Sequence, residues 1–493
     1  MQPPTLPQSV SSSGFSARLG FTWLAILCTV IGAMWLQRER HEPEPADGTQ
    51  PAQTEVAPVG LESEMSAKIV MAMNGLRAMS PAVQPADILR NAEPLRESDL
   101  FAERLGYSVL VGEVEGWEAG VKSAKELEPA TDSERALRDA AVSVLEERAF
   151  GHMTGAETGH DRFIADEEER ATVRSKLGFF GRIACDDPAA GSEATRTALV
   201  LLGAVVWYAL VFCAGLIVLV LMIVKVLKPA PAPSGSLDEP SRHRVALILG
   251  ETFAIWMAVF FGTNLLGAWV GSILVDTLGL EGTPRGVHLS LLVGAVAFFG
   301  SLVALAYPLM RGLTATQLRQ ALGLHCGRGI VRESLSGVAC YLAAVPLLVT
   351  GLIVYFVLTL VSRAIFGEAP TPAHPVTELY AGADALRIAL VFLLASVVAP
   401  IVEEIMFRGA LFGHLRTTIA PRTRILSFAV AAVVSSAIFA FIHPQGVLFA
   451  PALGGLAVGF CLYRETRGSL VAPMVAHGIN NAVTLTLGMS LMS

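Results

Sequence analysis

The chain has 493 residues, 53% of them hydrophobic and only 16% charged, with a mean hydropathy of +0.55. Soluble proteins carry about 25% charged residues, so this composition excludes an ordinary soluble domain and points to a membrane protein. A net charge of -7 with no basic patch argues against a nucleic-acid partner, and six scattered cysteines without a CxxC pair argue against a cysteine zinc site.

Residues 1–40 are expected to form an N-terminal membrane anchor or signal segment. The apolar run Gly20 to Leu36 is near the lower limit for a spanning helix. No A-x-A site precedes Gln37-Arg38, which favours an uncleaved anchor. Residues 41–60, rich in Pro and acidic residues, read as a linker. Residues 61–196 form an acidic helical region, expected to be extracytoplasmic. Apolar residues recur there at three- and four-residue steps over Glu62–Met79, Leu95–Glu126, Asp132–Phe150 and Asp161–Ile183. No internal repeat is evident, and no motif assigns this region a task.

A transmembrane helix is expected at 197–228 and a linker at 229–244. A polytopic domain follows at 245–493, with a catalytic core at 386–487. The spans read as Ala198–Val224, Val245–Val275, Leu289–Met310, Leu335–Val361, Leu386–Phe412, Ile425–Ile442, Val447–Tyr463 and Leu470–Met492. The fold class is therefore all-α, a polytopic membrane protein with eight or nine transmembrane helices and an extramembrane helical region. Lys225, Lys228, Arg242, Arg244, the arginines between Arg311 and Arg332, and Arg416, Arg422, Arg424, Arg464 and Arg467 mark cytoplasmic loops. That places residues 40–197 outside.

The chemistry-bearing stretch is Glu403-Glu404-Ile-Met-Phe-Arg408, at the end of a long apolar run. Charged side chains at membrane depth are costly and are usually kept for function. Glu404 and Arg408 are four apart on one helix face and can pair; Glu403 is turned about 100° away, without a local partner. Taken alone, the pair reads as a helix-end salt bridge. Two later apolar runs each carry a histidine, His443 and His477, and Asn481 shares a helix face with His477. Buried polar groups in lipid need one another, so the set points to one site. Glu251 reads as a helix-pairing or interfacial residue, and His414 as a solvated one beside Arg416.

The ordered set Glu403-Glu404-x-x-x-Arg408, Phe439-x-x-x-His443 and His477-x-x-x-Asn481 resembles the three motifs of the CPBP family. These are the CAAX-processing and bacteriocin-processing intramembrane proteases, also called Abi proteins. The resemblance covers Leu386 to Leu487 and implies peptide-bond hydrolysis in the membrane. It makes Glu403 the general base, a role that an apolar site strengthens in a carboxylate. His443 would hold the water, His477 and Asn481 would donate to the oxyanion, and Glu404 paired with Arg408 would orient and neutralise. The family is often termed metalloprotease, and a Zn2+ ion would take His443, His477 and Glu404, or Glu403 in its place, as ligands. With no HExxH present, the glutamate-and-water mechanism is the favoured expectation. The implied partners are membrane lipid and a membrane-anchored or C-terminal-tail protein substrate, and the implied location is a bacterial cell membrane. The rivals are a scaffold or immunity protein of the same fold, and a proton-coupled transporter, which should show inverted repeats that are not evident.

Helix arithmetic leaves one difficulty. At about 1.5 Å per residue, Glu403 lies ~22 Å from the outer end of its span and His477 ~12 Å from the inner end of its own, whereas His443 lies ~27 Å from the inner face. Either the preceding span starts later than Ile425, or Pro444 to Gly455 folds back into the membrane.

Overall fold

The structure is a computed structural model that describes residues 12–39, 56, 59–77, 84–154, 165–228, 239–366, 383–419 and 423–492. Most of the expected linkers, 41–60 and 229–244, fall outside these residues. Every regular element described is helical. The chain divides into two compact units, one of residues 44–206 with 487–493, the other of residues 1–43 with 207–486.

In the first unit the helices Leu61–Arg77, Phe101–Glu115, Trp117–Lys125, Asp132–Thr154 and Glu167–Ala184 enclose one core. Within the helical pattern read over Leu95–Glu126, the long helix starts only at Phe101 and is broken at Gly116, whose φ of 117° is open to glycine but strained in other residues. A second break lies inside Glu167–Ala184 at Gly178. There the Glu64 carboxylate accepts from the Phe179 amide at 2.9 Å, capping the helix that restarts.

The second unit holds the apolar helices. Across the described residues seven helices are long and apolar enough to cross a membrane: Pro188–Leu227, Ser241–Thr277, Pro284–Met310, Ile330–Phe366, Ala385–Thr418, Arg424–Phe441 and Val447–Arg467. The first of these contains the boundary between the units. Two other expected spans fall short of that measure, the apolar stretch Arg18–Met34 and the helix Val471–Met492.

Glycines set the closest packing in this unit. The helices Ile330–Phe366 and Ala450–Arg467 meet where a Cβ on Gly351 would lie 2.1 Å from the Pro451 carbonyl oxygen, and one on Gly455 2.3 Å from that of Leu347. Backbones this close gain dispersion contacts that larger residues would prevent, the usual means of helix association in lipid.

The helix bearing the two glutamates begins at Asp384, whose carboxylate accepts from the Arg387 amide at 2.7 Å. That bond, and a second with His288 at 2.9 Å, hold the Asp384 carboxyl below its ordinary range. The helix is not regular. It widens into π-type turns at Leu394–Val398 and again at Glu404–Leu411, on either side of Ala399–Glu403. Such turns are rare and cluster at functional sites.

Candidate active site

The polar residues of the three motifs meet inside the second unit. Glu404 and Arg408 are fully buried, and Arg408 Nη1 donates to Glu404 Oε1 at 2.9 Å. The guanidinium lies between two aromatic rings, 4.6 Å from the centroid of Phe439 and 5.1 Å from that of Phe460. Out of water, such cation–π contacts add to the ion pair. His477 Nδ1 also lies 2.9 Å from Glu404 Oε1, and its ring stacks on Phe460. Glu404 is thus shared between a guanidinium and an imidazole, which fixes the orientation of both.

Glu403 is placed differently. Its Oε2 is buried without a hydrogen-bond partner, 3.7 Å from His477 Nε2 and 3.9 Å from His443 Nε2. The Nδ1 atoms of the two rings are engaged elsewhere, His477 with Glu404 and His443 with the Phe439 carbonyl. Each imidazole therefore turns its Nε2 edge toward Glu403. The sixth motif residue, Asn481, is tied to a different point: its Nδ2 donates to the Ala395 carbonyl at 2.8 Å.

The depth difficulty resolves without either expected remedy. The helix before His443 begins at Arg424, no later than expected, and the chain reverses at Gly446, with the next helix starting at Ala450. Ser435 Oγ bonds the Phe407 carbonyl at 3.3 Å and sets the level of the two helices. From there His443 is about 12 Å along and Glu403 about 6 Å. Helical side chains point toward the N-terminus, and the His443 ring does so, folding back onto the Phe439 carbonyl. The two side chains cover the remaining gap.

His477 reaches the same level because its helix starts high. The Leu470 amide donates to the Gly323 carbonyl at 3.0 Å, and a Cβ on Gly409 would lie 3.1 Å from the neighbouring Leu322 carbonyl. His477 is seven residues past Leu470 and Glu403 six before Gly409, a near match in rise.

Two residues read from the sequence as loop markers hold this arrangement. Arg464 donates to the carbonyls of Arg408, Gly468 and Ala321, joining two helix ends to the middle of the glutamate helix. Arg467 pairs with the buried Glu333 at 2.7 Å. Nothing in their local sequence separates them from other helix-end arginines. His414 is also a correction: it is buried rather than solvated, with Nδ1 2.8 Å from the Ala246 carbonyl. Gly250 makes room, since a Cβ there would lie 2.6 Å from the ring. Glu251 pairs helices, accepting from the Tyr307 hydroxyl at 2.6 Å.

A zinc ion can be tested against these donors. Three ligands held tetrahedrally at about 2.0–2.1 Å from zinc lie about 3.3 Å apart. Glu404 faces the Nδ1 side of His477, with Arg408, and not the Nε2 edges. Glu403 faces the Nε2 edges, at 3.7 and 3.9 Å. Among the described residues no group of three His, Cys, Asp or Glu side chains closes to metal-ligand geometry. The residues as placed do not form a metal centre.

Helices of membrane-spanning length around a buried cluster of acids, histidines and an arginine define a polytopic membrane protein with an internal polar site. Residues 385–483 match the family model described as type II CAAX prenyl endopeptidase, Rce1-like. Through this segment, about a fifth of its length, the chain is similar to the CAAX-protease family. It is 34% identical over 97 residues to the membrane-embedded CAAX protease MroQ of Staphylococcus aureus (strain USA300), covering 20% of this chain and 38% of that protein. The chain thus aligns with well under half the length of that relative. No solved structure matches the chain.

Proposed function

We propose that the protein is an intramembrane endopeptidase of the CAAX-protease type, which hydrolyses a peptide bond of a membrane-associated protein with a water molecule activated by Glu403. The observation that carries this reading is the contrast between two adjacent carboxylates. Glu404 is neutralised by Arg408, while Glu403 Oε2 is buried, unpartnered and faced by two imidazole Nε2 atoms. A scaffold has no use for so costly a group.

The chain's own residues support each step. Glu403 takes a proton from water held between its carboxylate and His443, and the hydroxide forms a bond to the scissile carbonyl carbon. The charge that develops on the carbonyl oxygen is met by His477, whose Nδ1–H is held by Glu404 and whose Nε2–H, when protonated, donates to the oxyanion. Glu403 then returns the proton to the leaving nitrogen as the C–N bond breaks. The Glu404–Arg408 pair supplies orientation and charge balance and does not itself react. The substrate in this reading is the tail or juxtamembrane segment of a second protein in a bacterial plasma membrane.

The test is a comparison of membrane-protein termini, by mass spectrometry, between cells with the native chain and cells with Glu403→Gln. Termini present in the first and absent in the second are expected. Identical sets in the two strains overturn the protease reading.

A further inference from the structure

The helix that carries Glu403 has a gap in its own hydrogen bonding, two turns before the glutamate. A helical carbonyl accepts from the amide four residues on, or five on in a π-type turn. For Ala395 both donors fail. The Ala399 amide is directed to the Leu394 carbonyl instead, and residue 400 is proline, which has no N–H. A carbonyl without a donor is costly in apolar surroundings.

Asn481 fills the gap from another helix. Its Nδ2 donates to the Ala395 carbonyl at 2.8 Å, while its Oδ1 accepts from Asn480 Nδ2 at 3.3 Å, so both ends of the amide are occupied. One turn earlier, Gly478 allows the backbones to close: a Cβ there would lie 2.5 Å from the Ser396 carbonyl oxygen. His477 immediately precedes Gly478. The contact that completes one helix therefore also sets where the other presents its imidazole.

We propose that Asn481 is a positioning residue whose side-chain amide replaces the N–H that Pro400 lacks, locking the His477 helix against the Glu403 helix in the register that faces Nε2 of His477 to Glu403. The consequence for catalysis rests on the protease reading above. The lock itself does not. In this arrangement Asn481 acts through the two helices, in place of the oxyanion contact that the family resemblance implies.

Pro400→Ala gives residue 400 an amide within reach of the Ala395 carbonyl and so tests the lock directly. Full-length protein purified in detergent is compared as native, Asn481→Leu, Pro400→Ala and the double variant, by thermal unfolding and by cleavage of a peptide spanning a terminus found above. Asn481→Leu is expected to lower the unfolding midpoint by roughly 2–4 °C and to slow cleavage about a hundredfold, the scale of a 1 Å misplacement. Adding Pro400→Ala is expected to recover most of both losses. A double variant that regains stability but stays as slow as Asn481→Leu overturns the proposal and puts Asn481 on the reacting atoms. Equal and additive stability losses, with no recovery, also overturn it. Asn481→Gln guards against a Pro400→Ala variant that does not fold: it keeps the donor and is expected to hold more stability than Asn481→Leu, and equal losses in the two would again overturn the lock. Because unfolding needs no substrate, failure of the lock is separable from failure of the protease reading, which shows as cleavage surviving in Glu403→Gln.

Discussion

The unit of residues 44–206 and the segment 385–483 use charge in opposite ways. In the first, Arg90–Asp87, Arg96–Glu93 and Arg135–Asp132 are pairs one turn apart with exposed side chains, and the core is apolar. In the second, Glu404 and Arg408 are paired with essentially no exposure, and the aromatic rings of Phe439 and Phe460 close over them. Water screens the first kind of pair and leaves it worth little. Where water is excluded, the same chemistry binds its partners together or, if one is removed, leaves a charge with nowhere to go. The exposed pairs of the first unit serve its surface, and the buried pair of the matched segment organises the interior.

The comparison is sharpest at the two glutamates. Glu403→Gln is expected to reduce cleavage by about 10²–10⁴-fold, the usual contribution of a general base, with no loss of thermal stability, since Glu403 Oε2 makes no hydrogen bond to be lost. A matching fall in unfolding midpoint would show Glu403 to be structural. Arg408→Ala is expected to cost about 3–5 kcal/mol in unfolding free energy, because it strands the Glu404 charge. Glu404→Leu combined with Arg408→Met removes both charges and is expected to recover much of that stability while remaining inactive. Recovery of cleavage in that double variant would break the assignment of an orienting role to the pair.

Smaller effects are expected in the other unit. Arg170 and Glu147 form a two-oxygen contact at 2.6 Å with about a quarter of each side chain exposed, so Arg170→Ala is expected to cost about 1 kcal/mol. Arg135→Ala, at a pair far more exposed, is expected to stay within ~0.5 kcal/mol. A loss at Arg135 comparable to that at Arg408 would remove the distinction between the two regions.

Much of this architecture is legible in one dimension. Apolar length marked the seven membrane-length helices from Ala198 onward to within a few residues at most ends, because burying backbone polar groups in lipid requires unbroken helices. The resemblance carried by Glu403, Glu404, Arg408, His443, His477 and Asn481 is matched by the family model over residues 385–483. The break at Gly116 was missed because a single glycine inside a periodic pattern is also tolerated in helices. The buried position of His414 and the helix-joining contacts of Arg464 and Arg467 were missed because a polar residue near a helix end looks the same in sequence whether it meets water or a carbonyl.

The sequence by itself determined which segments are helical, which of them are apolar enough to leave water, and which residues bear the motifs that the family model matches, since hydropathy, periodicity and motif spacing are local properties. Only the tertiary structure decided the levels at which those helices start and how their side chains turn. The Leu470 amide on the Gly323 carbonyl raises His477, the bond to Phe439 folds His443 back, and Asn481 closes the gap left by Pro400. These are contacts between residues four to nearly 150 positions apart, and a few ångströms in any of them separates an isolated buried salt bridge from one gathered with two histidines around Glu403.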